Sequence, residues 1–435
     1  MDELLHFLHN SPTPYHCVLS QKEILDQAEF AELDESEDWN LIFKQNPDQK
    51  KYYVIRDDSC IAAFILPIGM NETGVQPEHP VLLLGSHTDS PGLKLRVKSD
   101  SYENKYFLQN VEIYGSPLLN TWFDRDLGLA GRVIVKDELE ETTNLMIDFR
   151  SNPVAIIPSL AIHLNRDANE KNSNPLDKHK HLRAILSTKE GEKIEKIIST
   201  YAASILNKPA ENIKLLGHDL FFVDTQRPAL TGLDLEFLSS TRLDNLLSCF
   251  VSTMVLSQTG PSNKITMICS MDHEEVGSGS YVGAQGSFIT DVIQRIHPHF
   301  LRAKSNSLMI SMDNAHALHP NFKDKHDDIN TPILNRGVVV KTNANQRYGT
   351  NAITQSLIQQ IAMDKDINIP LQYFANRNDL SCGSTIGPIM STQLGIPCID
   401  LGIPTLAMHS IREMAGIKDI ESSMMLLAEI IENYA

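Results

Sequence analysis

No apolar run in the sequence approaches the roughly 18 residues that a membrane-spanning helix needs. The opening residues, Met1-Asp2-Glu3-Leu4-Leu5-His6, lack the basic start and long apolar core of a secretion signal. The six cysteines (Cys17, Cys60, Cys249, Cys269, Cys382 and Cys398) include no CxxC pair. They lie mostly in apolar surroundings and read as reduced core residues, which makes a cytoplasmic location the default. Positive charge is also scarce. Lys and Arg number 38 against 55 Asp and Glu, a net charge of −17. Such a surface argues against nucleic acid or an anionic membrane as the main partner. A substrate carrying extra negative charge would need a local basic residue. There is no internal repeat and no low-complexity tract.

What is present is an ordinary globular composition, 42% hydrophobic over 435 residues, enough for two or more domains. Leu4 to Asn10 reads as a short helix stopped by Ser11-Pro12-Thr13-Pro14, and Gln21 to Ala31 as a second helix. Lys51–Ile55, Ser59–Leu66 and Val81–Gly85 read as strands, the last two nearly all apolar, as in a sheet covered on both faces. From about Leu93 the pattern alternates, as antiparallel strands with one wet face do. Segments 107–114, 132–135, 145–150 and 154–158 continue this texture, and Leu160–Arg166 comes next. A polar loop from Asn169 to Lys180 and a helix from Gly191 to Leu206 follow. The expected organisation is 1–92 and 236–435 as one α/β domain, with 93–235 as an inserted β-rich domain. In the second part, strands are expected at 307–313, 337–341, 371–375 and 397–402, the last strand of the chain. Helices are expected from Ala352 to Lys365 and from Ile420 to Tyr434, with another opening at Ser381–Pro388.

Several predicted strands end in chemistry-bearing residues. Ile265–Cys269 runs into Ser270-Met271-Asp272-His273-Glu274-Glu275-Val276-Gly277-Ser278, and Val81–Gly85 into Ser86-His87-Thr88-Asp89. Open α/β sheets place ligands at the C-terminal ends of strands. Two adjacent glutamates repel, and they are tolerated if a cation takes one and a reacting proton the other. Glu275 then binds metal and Glu274 is the general base. Alone, the pair reads as a solvated acidic turn. His87 and Asp89 point to one side of an extended chain, a common pairing of a ligand with a carboxylate that orients it; alone they are a polar turn. Asp244 lies in the first turn of a predicted helix, where a carboxylate is stabilised in any case. His163, among apolar residues, is either a satisfied core or interface histidine or a functional one.

The sum is stronger than its parts. His87, Asp244, Glu275, Asp313 and His409 supply two histidines and three carboxylates, the set that two zinc ions bridged by one carboxylate require. Asp244 would be the bridge, Asp313 and His87 would complete one ion, and Glu275 and His409 the other. Glu274 is left to take a proton from water and pass it to a leaving amine. Manganese or cobalt could occupy such a set.

The chain resembles the aspartyl aminopeptidase family of zinc exopeptidases. The matching stretches are His87–Pro91, Ala161–Arg166, Arg242–Leu246, Asp272–Ser278, Asp313–His316, Asn345–Tyr348, Gly383–Pro388 and Ala407–Glu413, in order over nearly the whole chain. Gly349-Thr350 and Gly92-Leu93 depart from the usual pattern without touching a proposed ligand. The resemblance implies a zinc-exopeptidase-type mixed α/β sheet flanked by helices, interrupted by a β-rich dimerisation domain. It implies a homo-oligomer built from dimers, as large as a dodecamer. It also implies release of single residues, acidic ones preferred, from peptides with a free N-terminus. By position, Lys341 would meet an acidic side chain, and His316, Tyr348 and Met408 would line the pocket. His163 is either a further zinc ligand or a pocket residue reaching into a neighbouring subunit. Two other readings compete: a di-zinc carboxypeptidase or N-deacylase, with Arg347 or Arg377 taking a terminal carboxylate, and a scaffold that has lost its chemistry.

Overall fold

The computed structural model describes residues 1–70, 74–170, 176–364 and 367–434. Lys171 of the polar loop and Lys365 at the expected end of its helix lie outside them. The chain groups into two compact units: 1–90 with 228–408 and 412–435, and 91–227 with 409–411.

The first unit is built on a nine-stranded mixed sheet. Its centre is four parallel neighbours, Ile265–Met271, Val81–His87, Leu308–Met312 and Cys398–Gly402. Cys60–Ile65 and Lys51–Arg56 extend one side as antiparallel strands, with Ala31–Glu32 at the edge. Val338–Thr342 runs antiparallel to Cys398–Gly402 on the other side, followed by Leu371–Ala375. The near-continuous apolar strands are buried on both faces. Successive side chains alternate, so Leu82 and Leu84 pack on one side of the sheet and Val81 and Leu83 on the other.

The first side is covered by Asp2–Asn10, Pro14–Gln27, Leu243–Ser257, Ala352–Ala362 and Ile417–Asn433. The second is covered by Trp39–Gln45, Phe288–Ile296 and Ile386–Leu394. Fully burying a Leu or Ile contributes about 1.5–3 kcal/mol, and both layers are rich in them. A smaller five-stranded sheet joins Ala229–Thr231, Phe237–Ser240, Glu413–Gly416, Pro404–Leu406 and Ala315–His316.

The second unit is a six-stranded antiparallel sheet: Thr142–Asp148, Leu127–Lys136, Lys214–Asp224, Gly92–Glu103, Tyr106–Tyr114 and Ala184–Ser187, in that order. The helix Ile194–Leu206 packs Ile198 and Ala202 on its apolar face.

Several elements differ from the sequence reading. Pro14 opens the second helix instead of closing the first, since its fixed φ and missing N–H suit the first helical position. The sequence reading named no helix at Phe288–Ile296 or at Trp39–Gln45, the second of which is capped by the Asp38 carboxylate accepting the Asn40 and Leu41 N–H groups. Leu160–Arg166, given no element by the sequence reading, holds the one-turn 3-10 segment Ile162–Leu164. Val154–Pro158 makes only isolated bridges. Cys398–Gly402 is followed by two further strands of the small sheet. Residues 228–235 lie in the first unit, because Ala229–Thr231 pairs with Phe237–Ser240 there.

Candidate metal centre

Three adjacent parallel strands deliver the acidic and imidazole groups. Met271 pairs with His87 across one interface, so Glu274 and Glu275 emerge beside His87; Met312 leads into Asp313 on the far side. Gly402 makes the last placement possible. A Cβ there would lie 2.2 Å from the Asp313 carbonyl oxygen, so only glycine lets the Asp313 backbone come this close.

Asp89 organises this pole. Its carbonyl oxygen lies 3.0 Å from His87 Nδ1 and accepts that N–H, which directs Nε2 outward. Its carboxylate accepts the backbone N–H groups of Glu274, at 3.1 Å, and Glu275, at 3.0 Å. One residue thereby orients a histidine and pins the Glu-Glu turn. That turn, Glu274–Val276, is a single 3-10 turn between two residues with positive φ, His273 and Gly277.

Asp244 is held differently from the sequence expectation. It starts the helix Leu243–Ser257 but is not helical (φ −83°, ψ 104°), and its peptide bond to Asn245 is cis. Its N–H donates to Glu413 Oε2 at 2.9 Å, and its carbonyl accepts from Ser90 Oγ at 2.6 Å. Asn245 donates to the Met312 carbonyl at 2.8 Å. These long-range anchors, not a helix N-terminus, set the carboxylate direction. Ser90, Asn245 and Glu413 had no local signal of their own; they were visible only as members of the stretches His87–Pro91, Arg242–Leu246 and Ala407–Glu413.

His87 Nε2 lies 3.4 Å from Asp244 Oδ1 and 3.9 Å from Asp313 Oδ1. Among the described residues, His87, Asp244 and Asp313 present ligand atoms within 4.8 Å of one another, as do His87, Glu274 and Glu275. All are buried or half-buried. Burial alone would lower the His87 pKa, but Asp244, Asp89 and Glu274 outweigh it and raise it. Burial pushes Glu274 up to about 8, with Asp313, Glu275 and Asp89 adding to the rise against His87. Asp313 is pushed up to about 6, again by burial first, while Lys341 pulls it down. Crowded carboxylates that resist ionising are relieved by a divalent cation, and neutral imidazole with carboxylate oxygen is a zinc donor set. The residues present therefore fit zinc.

Lys341 is buried; its Nζ donates to the Asn314 carbonyl at 3.1 Å and lies 3.8 Å from the Asp313 carboxylate and 5.1 Å from the Tyr348 ring centroid. Asp400, wholly buried, accepts from Thr385 Oγ1 at 2.5 Å and from the Gly349 N–H at 2.6 Å, which ties the loop after Tyr348 to the sheet. Tyr348 and His316 both meet Phe374 edge-on; His316 is exposed and Met408 half-buried. His163 is exposed, within the second unit, and joins no group of three ligand residues among the described residues. His409 falls in the short stretch that groups with the second unit, its Nδ1 3.1 Å from the Ser116 carbonyl. Arg377 is engaged by Asp379 at 2.9 Å.

Carboxylates and imidazole gathered at the C-terminal ends of parallel strands define a metal-dependent hydrolase. Residues 7–430 match the aminopeptidase I zinc metalloprotease family (M18). A probable M18 family aminopeptidase 2 from Stutzerimonas stutzeri (strain A1501) is 42% identical over 423 residues, 96% of this chain and 94% of the relative. Another from Ectopseudomonas mendocina (strain ymp) is 41% identical over 430 residues, 98% and 96%. Among solved structures, a chain of the Ape4 and Nbr1 complex matches with a TM-score of 0.90 at 34% identity, covering 99% of this chain and 85% of that one. The S. cerevisiae mApe1 dodecamer matches at 0.83 and 26%, covering 100% and 96%. The chain belongs to the M18 family, the aspartyl aminopeptidase family, and is a zinc-dependent aminopeptidase. The carboxypeptidase, deacylase and scaffold readings fall away with that membership.

Proposed function

We propose that this aminopeptidase removes N-terminal Asp and Glu from peptides, with Glu274 as the general base of a two-zinc centre. The observation that carries the reading is the convergence of His87, Asp244, Asp313, Glu274 and Glu275 at the C-terminal ends of the central strands, with Asp89 anchoring the Glu-Glu turn. His87 and Asp313 would hold one ion, Glu275 and His409 the other, and Asp244 would bridge them. The Ser116 carbonyl at His409 Nδ1 favours the tautomer whose Nε2 ligates. Bound zinc supplies a Lewis acid that polarises the scissile carbonyl and makes water more acidic. Glu274, held by its backbone on Asp89, takes the proton of the attacking water and returns it to the leaving amine. Its resistance to ionising among like charges suits a group that must hold and release a proton.

Lys341 supports the acidic preference. It is a buried cation beside Asp313, in a chain with an excess of acid, and it would meet a substrate carboxylate once zinc neutralises Asp313. His316, Tyr348 and Met408 would line the pocket. His163, exposed on the second unit, is proposed as a pocket residue for a neighbouring subunit ahead of a ligand role. The likeness to the mApe1 dodecamer supports a dimer-based homo-oligomer, possible up to that size. Six free cysteines are consistent with a reducing, cytoplasmic setting.

The test is hydrolysis of aminoacyl p-nitroanilides of Asp, Glu, Leu and Lys, with N-acetyl-Asp as control, with and without chelator. Chelator-sensitive cleavage of free Asp and Glu substrates is expected. Lys341→Ala is expected to lower kcat/KM for Asp about tenfold or more beyond any loss on Leu. Equal losses on both would remove Lys341 from specificity.

A further inference from the structure

At the opposite ends of the elements that carry the metal centre lies a cavity of about 680 Å³. Lys264 stands directly before the strand Ile265–Met271, whose far end leads to Glu274. Val255 lies in the last turns of Leu243–Ser257, whose first turn holds Asp244. A helix of this length spans about 20 Å, so the cavity is remote from the zinc ligands.

Its lining combines two chemistries. Val255, Met424, Met425 and Ile431 give an apolar wall between the C-terminal halves of two helices. Lys264 gives a cation that is only 3% exposed. Among the described residues its amine makes no hydrogen bond and no ion pair, and burial lowers its pKa with no nearby charge opposing it. Lysines with so little exposed surface are normally paired with a carboxylate or a carbonyl. Volumes of roughly 300–1,000 Å³ with apolar walls and few polar groups are those that hold small organic ligands.

We propose that this cavity is a second ligand site, distinct from the metal centre, for a monocarboxylate with an unbranched apolar tail. The carboxylate would pair with Lys264, with Thr259 and Asn263 of the adjoining loop as neutral polar neighbours, and the tail would lie on the Met424 and Ile431 wall. A single charge is favoured over a dianion such as phosphate, because Lys264 is the one cation among the lining residues and the exposed Glu432 at the border would repel a second negative charge. Pairing would return to Lys264 the stabilisation it lacks when empty.

Calorimetric titration of the zinc-loaded enzyme with octanoate, octanol and inorganic phosphate tests this, with hydrolysis of a peptide substrate followed in parallel. Octanoate is expected to bind once per chain, at least about tenfold tighter than octanol, with phosphate not binding. Lys264→Met keeps the apolar stem and is expected to bring octanoate down to the octanol affinity while turnover without ligand stays unchanged. Lys264→Arg is expected to retain the preference. Equal affinity for octanoate and octanol would overturn the proposal. So would octanoate binding that survives Lys264→Met and competes with substrate, since that is direct ligation of zinc.

Discussion

At the scale of single residues, the site depends on which carboxylate is free to titrate and which is committed. Glu274 and Glu275 are neighbours in sequence and both donate their N–H to Asp89, yet the proposed roles differ. Glu274→Gln preserves shape and removes the proton acceptor. It is expected to keep zinc content and thermal stability while kcat falls about 10²–10⁴-fold; atomic absorption beside a rate assay checks both. Turnover near that of the parent would rule Glu274 out as the base. Legibility at this scale was uneven. His87, Asp244, Glu274, Glu275 and Asp313 each follow an apolar run or open a helix, and that placement marked them. Ser90, Asn245 and Glu413 were silent, because their partners are distant in sequence and no local pattern encodes a hydrogen bond across the fold.

At the scale of elements, strand ends place the ligands, and close backbone contacts set their precision. Gly402→Ala would push a methyl group into the Asp313 carbonyl. Overpacking of this kind costs about 1–3 kcal/mol. The expected result is a modest fall in stability with a larger fall in zinc affinity, read by metal titration of the variant against the parent.

In the second unit, strands Gly92–Glu103 and Lys214–Asp224 are joined by Lys94 and Asp219 at 2.8 Å, and Arg132 reaches Asp219 at 3.0 Å. Burial raises the Asp219 pKa, but Lys94 and Arg132 more than offset it, and the carboxyl titrates below its ordinary value. A depressed folded-state pKa gives stability that is present above the unfolded value of about 3.9 and is lost as pH falls through the folded one. Asp219→Asn is therefore expected to weaken hydrogen-exchange protection of these strands at pH 7 by about 1 kcal/mol or less, the pair being partly exposed. The difference between variant and parent should begin to shrink as pH drops below about 4 and vanish only below the depressed folded-state value; a constant difference would assign the effect to packing instead.

At the scale of the whole molecule, the charge balance matters. The chain carries a net −17 and gathers the carboxylates of Asp244, Asp313, Glu274 and Glu275 around His87. Zinc binding to the folded state alone stabilises by mass action, about 2.7 kcal/mol at a hundredfold excess over Kd. Removing metal with chelator is expected to lower Tm, and restoring zinc to recover it together with activity; a scan unchanged by chelator would mean that the ligands do not hold the ion proposed.

The sequence alone carried the α/β class, the near-continuous apolar strands at the centre of the sheet and the candidate metal ligands at their ends. These are written in local terms: apolar runs too long and too even for a wet face, and polar groups at their ends. Tertiary structure decided the rest. It opened the second helix at Pro14, turned the segment around His163 into an exposed 3-10 turn, and held Asp244 by anchors instead of a helix end. It also buried Lys264 beside a cavity, with no ion pair to its amine among the described residues. Each of these depends on which distant backbone groups and side chains meet once the sheet is closed, and periodicity along one segment carries no record of that meeting.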